Sequence, residues 1–430
     1  MRGWFGRTAG GLPRQFWFLW TGTLINRLGA FVVIFIAIYL TADRHFSQSQ
    51  AGLVIGVYGV GGAIGTTVGG VLADRWGRRP TMLTAQFGAA GLMLTLGFAH
   101  PYWQILTITG LLGVFSEAVR PAFMAMMIDV VPDHDRVRAY SLNYWAINLG
   151  FALSAIGAGL AAKADYLLLF VIDAGTTLIT ATISLIFLAE TRPARATAPG
   201  GPARPTGNLV TVLRDRVFMV YVLIGLGSVV VMLQHMSTLP IAMTEAGLSP
   251  STYGSVIAVN GLLIVLGQLF VPRLIEGRDR SRVLALAALI IGLGFGLTAF
   301  AGSAWFFGFA VVVWTLGEML QSPSSAATLA ALSPAHLRGR YQGLNSLTWS
   351  AGTALSPVLG GLTQQHLGGT ALWLGCFVLS TLVAAGFLIT GPSRERRIAQ
   401  IASAAPPPTL STSPPPLVAE PVADSPARTG

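Results

Sequence analysis

Charge is scarce in this chain: of its 430 residues only 10% are Asp, Glu, Lys or Arg, while 53% are hydrophobic. Soluble domains carry about 25% charge, so an ordinary soluble globule is excluded. Cysteine is nearly absent. Cys376, inside an apolar run, is the only one, which excludes a disulfide framework and a thiolate metal cluster. The six His are scattered, so no metal site is expected. The Walker loop G-x-x-x-x-G-K-[ST] and the zinc pair H-E-x-x-H are both missing, so neither ATP-driven work nor zinc hydrolysis is expected, and no cofactor. Glycine is plentiful at 51 but follows no three-residue period, which excludes a collagen-like chain.

What the chain has instead is long apolar blocks, such as 31–40 and 283–301. A spanning helix needs roughly 20 apolar residues, so the class is an all-α integral membrane protein. A pass along the sequence gives twelve transmembrane helices, at 16–40, 50–73, 81–99, 102–130, 139–162, 166–189, 217–242, 251–275, 283–301, 304–331, 341–365 and 368–390. The organisation follows: an N-terminal segment 1–15, a six-helix bundle 16–190, a linker 191–216, a second six-helix bundle 217–391 and a disordered Pro-rich tail 392–430. The first apolar stretch contains Asn26 and Arg27 and is too long for a signal peptide, so it reads as a retained helix.

The formal net charge of +10 is topological. Of the 27 Lys and Arg, Arg44 and Lys163 fall in odd loops and Arg27 and Arg120 deep in spans; the other 23 lie at the N-terminus, in even loops or, for Arg273, at the span end beside one, and in the tail. By the positive-inside rule both termini are cytoplasmic, in a multi-pass protein of the cell (inner) membrane. Basic residues spread in this way contact anionic lipid heads, and nucleic acid is not an expected partner.

One constant offset runs through the two halves. Arg14 matches Arg216, Gly65 matches Gly267, Pro132 matches Pro334, Arg138 matches Arg340, Asn143 matches Asn345 and Gly150 matches Gly352, each pair 202 positions apart. Six spans per half is an even number, so the repeats are parallel and the substrate path is expected between them.

The loop after the second span reads Gly70-Val-Leu-Ala-Asp74-Arg75-Trp-Gly77-Arg78-Arg79. Gly70 would let helices approach closely, Asp74 would face a helix N-terminus, and the arginines would pair with acids or lipid phosphates. This G-x-x-x-D-R-x-G-R-R pattern resembles the loop 2-3 signature of the major facilitator superfamily, and the resemblance covers residues 14–391. It implies a conformational latch on the cytoplasmic side. Asp129, at the cytoplasmic end of the fourth span, is the expected partner for the motif's arginines. The counterpart Glu276-Gly277-Arg278-Asp279-Arg280 is degenerate.

Ionisable residues well inside spans are few: Arg27, Glu117, Arg120, Asp173, His235 and Glu318. An Arg or Asp at the bilayer centre costs roughly 2.5–3.5 kcal/mol on insertion scales, so each needs a partner or a wet cavity. Glu117 and Arg120, three apart on one helix, can pair. The resemblance implies that spans 1, 4, 7 and 10 line a central cavity, and all but Asp173 fall on those four. Glu318 is the repeat mate of Glu117, but Gln321 stands where the first half has Arg120. A carboxyl with no cationic partner is the candidate coupling protonation site, with His235 as a relay and Glu117, Arg27 and Arg120 as a charge network. The alternative reading is a hydrogen-bonded Glu318 and a structural Glu117–Arg120 pair. Asp173, near the end of the sixth span, reads as structural.

The family's antiporter signature in span 5 is roughly G-x-x-x-G-P-x-x-G-G. Here span 5 reads Gly150-x-x-x-Ser154-Ala155-Ile156-Gly157-Ala158-Gly159 without the Pro, and the better copy is Gly352-x-x-x-Ser356-Pro357-Val358-Leu359-Gly360-Gly361 in span 11. Arg120-Pro121-Ala122 and Tyr140-Ser-Leu-Asn143 resemble bacterial multidrug efflux members. Trp17, Phe31, Tyr39, Phe115, Phe123, Met124, Met232, Met236 and Trp314 give the presumed lining an apolar, adaptable character suited to amphipathic or cationic small molecules. The expectation is a monomeric secondary transporter exporting such compounds against protons. The alternatives are a proton-coupled uptake carrier and a non-transporting sensor on the same fold.

Overall fold

A computed structural model describes residues 11–132, 135–191, 209–268, 270–334 and 337–403. Apolar segments have no water to satisfy their backbone, so they fold as helices, and short capped turns join them. Among the described residues eleven helices are long and apolar enough to cross a membrane: span 1 (Arg14–Asp43), span 2 (Gln48–Arg75), span 3 (Arg78–Phe98), span 4 (Tyr102–Val130), span 5 (Arg138–Ala164), span 6 (Leu167–Phe187), span 7 (Arg216–Ser237), span 8 (Pro250–Gly267), span 9 (Arg280–Phe300), span 10 (Ala304–Leu332) and span 12 (Gly369–Ile389). Span 11, Arg338–Leu367, is long enough at 30 residues but more polar, with Gln342, Asn345, Ser346 and Gln364 along it. It packs between spans 2 and 7, with Gln364 buried there while Gln342 and Ser346 are exposed. The all-α, twelve-span architecture expected of the sequence is therefore present.

Caps set where helices start. Ser47 and Gln50 form a capping box at span 2, and Ser249, Asp279 and Ser303 cap spans 8, 9 and 10. Pro121, Pro323 and Pro357 lie inside spans 4, 10 and 11. A helical Pro leaves the carbonyl four residues earlier without its donor. For Pro323 that is Met319, whose oxygen accepts Nε2 of Gln268, the residue just past the end of span 8, at 3.4 Å.

Spans 1 and 7 are broken at near-equivalent repeat positions. The first stops at Leu28 and resumes at Phe31–Ile38; the second stops at Met232 and continues as Gln234–Ser237 and Leu239–Glu245, the last opening on Pro240. Span 8 ends at Gly267 rather than 275, followed by a short helix Val271–Ile275.

Two boundaries need correction. The linker 191–216 ends in a helix, Leu209–Arg214, its residues 192–208 lying outside the described residues. The tail is not disordered from 392: Gly391–Ser403 is an amphipathic helix docked under the second half. Arg394, 2% exposed, donates to Phe387 O at 2.6 Å and Ser281 Oγ at 2.7 Å. Arg397 pairs at 3.0 Å with Asp215, which caps span 7 and accepts the Tyr341 hydroxyl at 2.8 Å. A run that reads as a positive stop thus also clamps the ends of spans 7, 9, 11 and 12.

Within the first half, spans 2 and 4 touch backbone to backbone. A Cβ at Gly61 would lie 2.1 Å from Gly110 O, at Gly65 2.1 Å from Val114 O and at Gly69 2.4 Å from Ala118 O. Gly70, by contrast, would meet only Pro121 at 3.9 Å, so the close approach expected of Gly70 belongs to Gly69.

Candidate functional site

The two halves meet most tightly far from the loop 2-3 motif. A Cβ at Gly52 would lie 2.3 Å from Pro357 O and one at Gly361 2.5 Å from Gln48 O, joining spans 2 and 11; one at Gly254 would lie 2.2 Å from Ala155 O, joining spans 8 and 5. Hydrogen bonds close the same face. Glu245, at the end of the broken span 7, accepts Gln364 Nε2 at 3.0 Å and also bonds Gln48 Nε2, while Ser49 N donates to Gln365 Oε1 at 2.9 Å. One carboxylate thus bridges spans 2 and 11. In a Cys376→Ser background, Glu245→Ala is expected to raise the alkylation rate of Ser49→Cys several-fold, since the half-buried Ser49, whose Oγ is shielded, is uncovered once the bridge is lost; an unchanged rate would show that Glu245 does not hold this face shut.

Just inside this closure lies a cavity of about 60 Å³ between the halves, lined by Val32, Ile36, Tyr58, Ser116, Met236 and Pro357 among others. That is room for one or two waters. Of the aromatics and methionines expected to line the path, Met236 is at the cavity, whereas Phe31, Tyr39, Met232 and Trp314 are buried in packing.

Glu318 is half-buried on span 10 and accepts Asn260 Nδ2 of span 8 at 2.7 Å. Asn260 also reaches Thr315 Oγ1 at 3.1 Å. No cation lies within ion-pair distance of Glu318 among the described residues. The sequence reading did not anticipate Asn260; its position on span 8, a helix outside the presumed lining set, hides it. Tyr144 of span 5 stands within electrostatic reach of Glu318, so both halves face this carboxyl.

Two expected pairings are not formed. Glu117 and Arg120 make no ion pair among the described residues; Glu117 packs its chain against Gly62, while Arg120 and Arg27 are exposed. The i, i+3 spacing permits contact, but neither side chain is held there. His235 does not relay to Glu318 by a hydrogen bond: it is buried at the break of span 7, with Nδ1 2.5 Å from Met232 O and its ring 5.4 Å from Trp314. The break leaves carbonyls without helical donors, and the imidazole fills that need.

At the loop 2-3 motif the expected Arg78–Asp129 contact is present at 3.0 Å, and Thr191 Oγ1 donates to the same oxygen at 2.9 Å. Asp74 lies 3.7 Å from Arg78 with its side chain 78% exposed, and Arg75 is exposed. The acid at the N-terminus of span 3 is Glu190 rather than Asp74: it accepts Arg78 N at 2.9 Å and Arg79 N at 3.1 Å. Gly77 makes this possible, because its φ is +118° and Glu190 occupies the space a Cβ would take. Arg79 reaches the carbonyls of Ser184 and Leu185. The degenerate counterpart does not pair in this way; Asp279 accepts Arg282 N at 2.7 Å, which holds its carboxyl below the usual range. Asp129→Asn is expected to lower transport several-fold while changing stability by no more than about 1 kcal/mol, the usual size of an exposed pair; undiminished transport would remove the latch role.

The model of the Major Facilitator Superfamily matches residues 19–276 and 235–421. The chain belongs to the major facilitator superfamily. It is a multi-pass membrane transporter of small molecules, not an enzyme. It is 24% identical over 382 residues to a Na(+), Li(+), K(+)/H(+) antiporter of Planococcus maritimus, covering 81% of this chain and 89% of the relative. It is 26% identical over 356 residues to multidrug resistance protein MdtH of Klebsiella pneumoniae (strain 342), covering 80% of this chain and 85% of the relative. Among solved structures, a POT family transporter in complex with 5-aminolevulinic acid superposes with a TM-score of 0.76 at 15% identity, over 90% of this chain and 97% of that one. The fold of this superfamily member is thus shared with that structure.

Proposed function

We propose that this superfamily member exports small amphipathic or cationic compounds in exchange for protons, by rocking its two halves about a central cavity. Its basic face, with both termini, lies at the cytoplasmic side of the cell membrane against anionic lipid heads, and the chain works as a monomer. The cavity then opens toward the cytoplasm, since the tight contacts between halves lie at the opposite face.

The observation that carries proton coupling is Glu318, a carboxyl within the bundle whose hydrogen-bond partner is the neutral amide of Asn260. A carboxyl without a fixed cation can pass between charged and neutral forms during a cycle. Arg27 and Arg120 make the surroundings positive, so a cation is bound well only while Glu318 and Glu117 are ionised. Cation and proton therefore compete, which is what exchange requires. The apolar cavity lining and the likeness to MdtH support the substrate class, and the likeness to a cation/H(+) antiporter supports exchange.

The test is proton release. In weakly buffered detergent solution, adding ethidium to the native protein is expected to release about one proton per dye bound, and to Glu318→Gln none. Equal release from both would move the coupling site elsewhere.

A further inference from the structure

Span 1 is a discontinuous helix, and the way its second piece is held gives a role to a carboxyl the transport reading leaves unused. Gly29 and Ala30 depart from helical geometry between Arg14–Leu28 and Phe31–Ile38. The break frees N–H groups at the start of the second piece. Phe31 N bonds back to Gly29 O at 2.7 Å, and Val32 N donates to Asp173 Oδ2 of span 6 at 3.1 Å. Asp173 is 2% exposed. A buried carboxylate from span 6 therefore sits at the positive end of an eight-residue half-helix.

The surrounding seam is built for this contact. A Cβ at Gly29 would lie 2.0 Å from Thr176 Oγ1, so glycine lets the break press against span 6. Asn26 Nδ2 donates to Thr177 Oγ1 at 3.1 Å, and Thr180 Oγ1 to Gly22 O at 3.1 Å. The half-helix reaches the closed end of the transport path: Val32 and Ile36 line the cavity, Phe35 packs edge-on against Tyr253 of span 8 at 5.3 Å, and the piece touches Leu239–Glu245 of span 7. Its orientation bears directly on whether that face is shut.

We propose that Asp173 is a proton-linked positioning residue: ionised, it holds the half-helix 31–38 against span 6 and keeps the opposite face closed, and on taking up a proton it releases that piece to move. Arg27 of span 1 and Tyr58 of span 2 lie within electrostatic reach of Asp173, and Glu117 of span 4 acts on the same Tyr58. Span 3 offers no titratable side chain between Arg79 and His100, and span 5 only Tyr140 and Tyr144 between Arg138 at its start and Lys163. Protonation therefore removes the negative charge of Asp173 from the half-helix start and leaves Arg27 there without it. The proposal rests on the reading of the chain as proton-coupled and adds a carboxyl in the first half to Glu318 in the second.

The test follows the half-helix itself. In the full-length Cys376→Ser chain, spin labels on Ala42→Cys and His100→Cys report the distance from the far end of span 1 to the loop between spans 3 and 4. Between pH 8 and pH 5.5 a second distance population is expected to at least double. Asp173→Asn keeps an oxygen for Val32 N but cannot be charged, and is expected to shrink that pH-dependent change at least fivefold; Glu318→Gln is expected to retain it. No pH-dependent change in the unsubstituted chain overturns the proposal and needs no variant at position 173. Retention of the change in Asp173→Asn, or its loss in Glu318→Gln alone, also overturns it. Dye flux that remains proton-driven in either case leaves the transport reading standing, so the two failures are distinguishable.

Discussion

Glu318→Gln is expected to lower gradient-driven dye movement by about tenfold or more, while dye exchange without a gradient stays within about twofold of the native rate. Gln keeps the size of the side chain and an oxygen to accept Asn260 Nδ2, so the 2.7 Å contact to span 8 survives. What it loses is the ability to ionise. Exchange of dye for dye needs the halves to rock but needs no net proton movement, whereas net export must return a proton by way of this carboxyl. Loss of both activities together would assign Glu318 a packing role on the Asn260–Thr315 network. Loss of neither would remove it from the mechanism.

The second large effect is on assembly. Gly65→Ala puts a methyl 2.1 Å from Val114 O and 2.8 Å from Val114 C and Cα, all backbone atoms with no rotamer to yield. Spans 2 and 4 must separate to accept it, along a seam that Gly61, Gly69 and Gly113 also need to be tight. Membrane helices gain little from the hydrophobic effect and depend on such close packing. The loss is expected near the top of the overpacking range, about 3 kcal/mol, read as a lowered melting temperature in detergent. Gly91→Ala, where no atom lies within 4 Å of the added carbon, is the control and should fall within about 0.5 kcal/mol of the native protein. Equal melting of the two variants would refute the packing account of the span 2–4 seam.

Features governed by composition and spacing were legible without coordinates. The hydrophobic runs located the spans, and the contact between Arg78 and Asp129 followed from the motif and from where span 4 ends. Features decided by tertiary contact were not. The break in span 1 lies inside an apolar stretch and depends on Asp173, 141 residues away along the chain. Glu190 sits beyond the end of span 6 and looks like an ordinary loop acid until Gly77 turns the chain toward it. Gly69 and Gly70 are indistinguishable by type, and only helix rotation decides which meets Ala118. Spacing allowed Glu117 to pair with Arg120, but spacing constrains where two Cβ atoms lie and not which rotamers the long side chains take. The docked helix 391–403 was hidden by its four charges, two of which, on Arg394 and Arg397, turn inward to span ends.

The central claim is that a proton gradient drives substrate through this chain, and dye flux in proteoliposomes tests it most directly. With the native protein and an imposed pH gradient, ethidium is expected to move opposite to the protons, to reverse when the gradient is reversed and to stop on adding a protonophore. Movement that ignores the gradient, or that runs in the same direction as the protons, would contradict proton-coupled export.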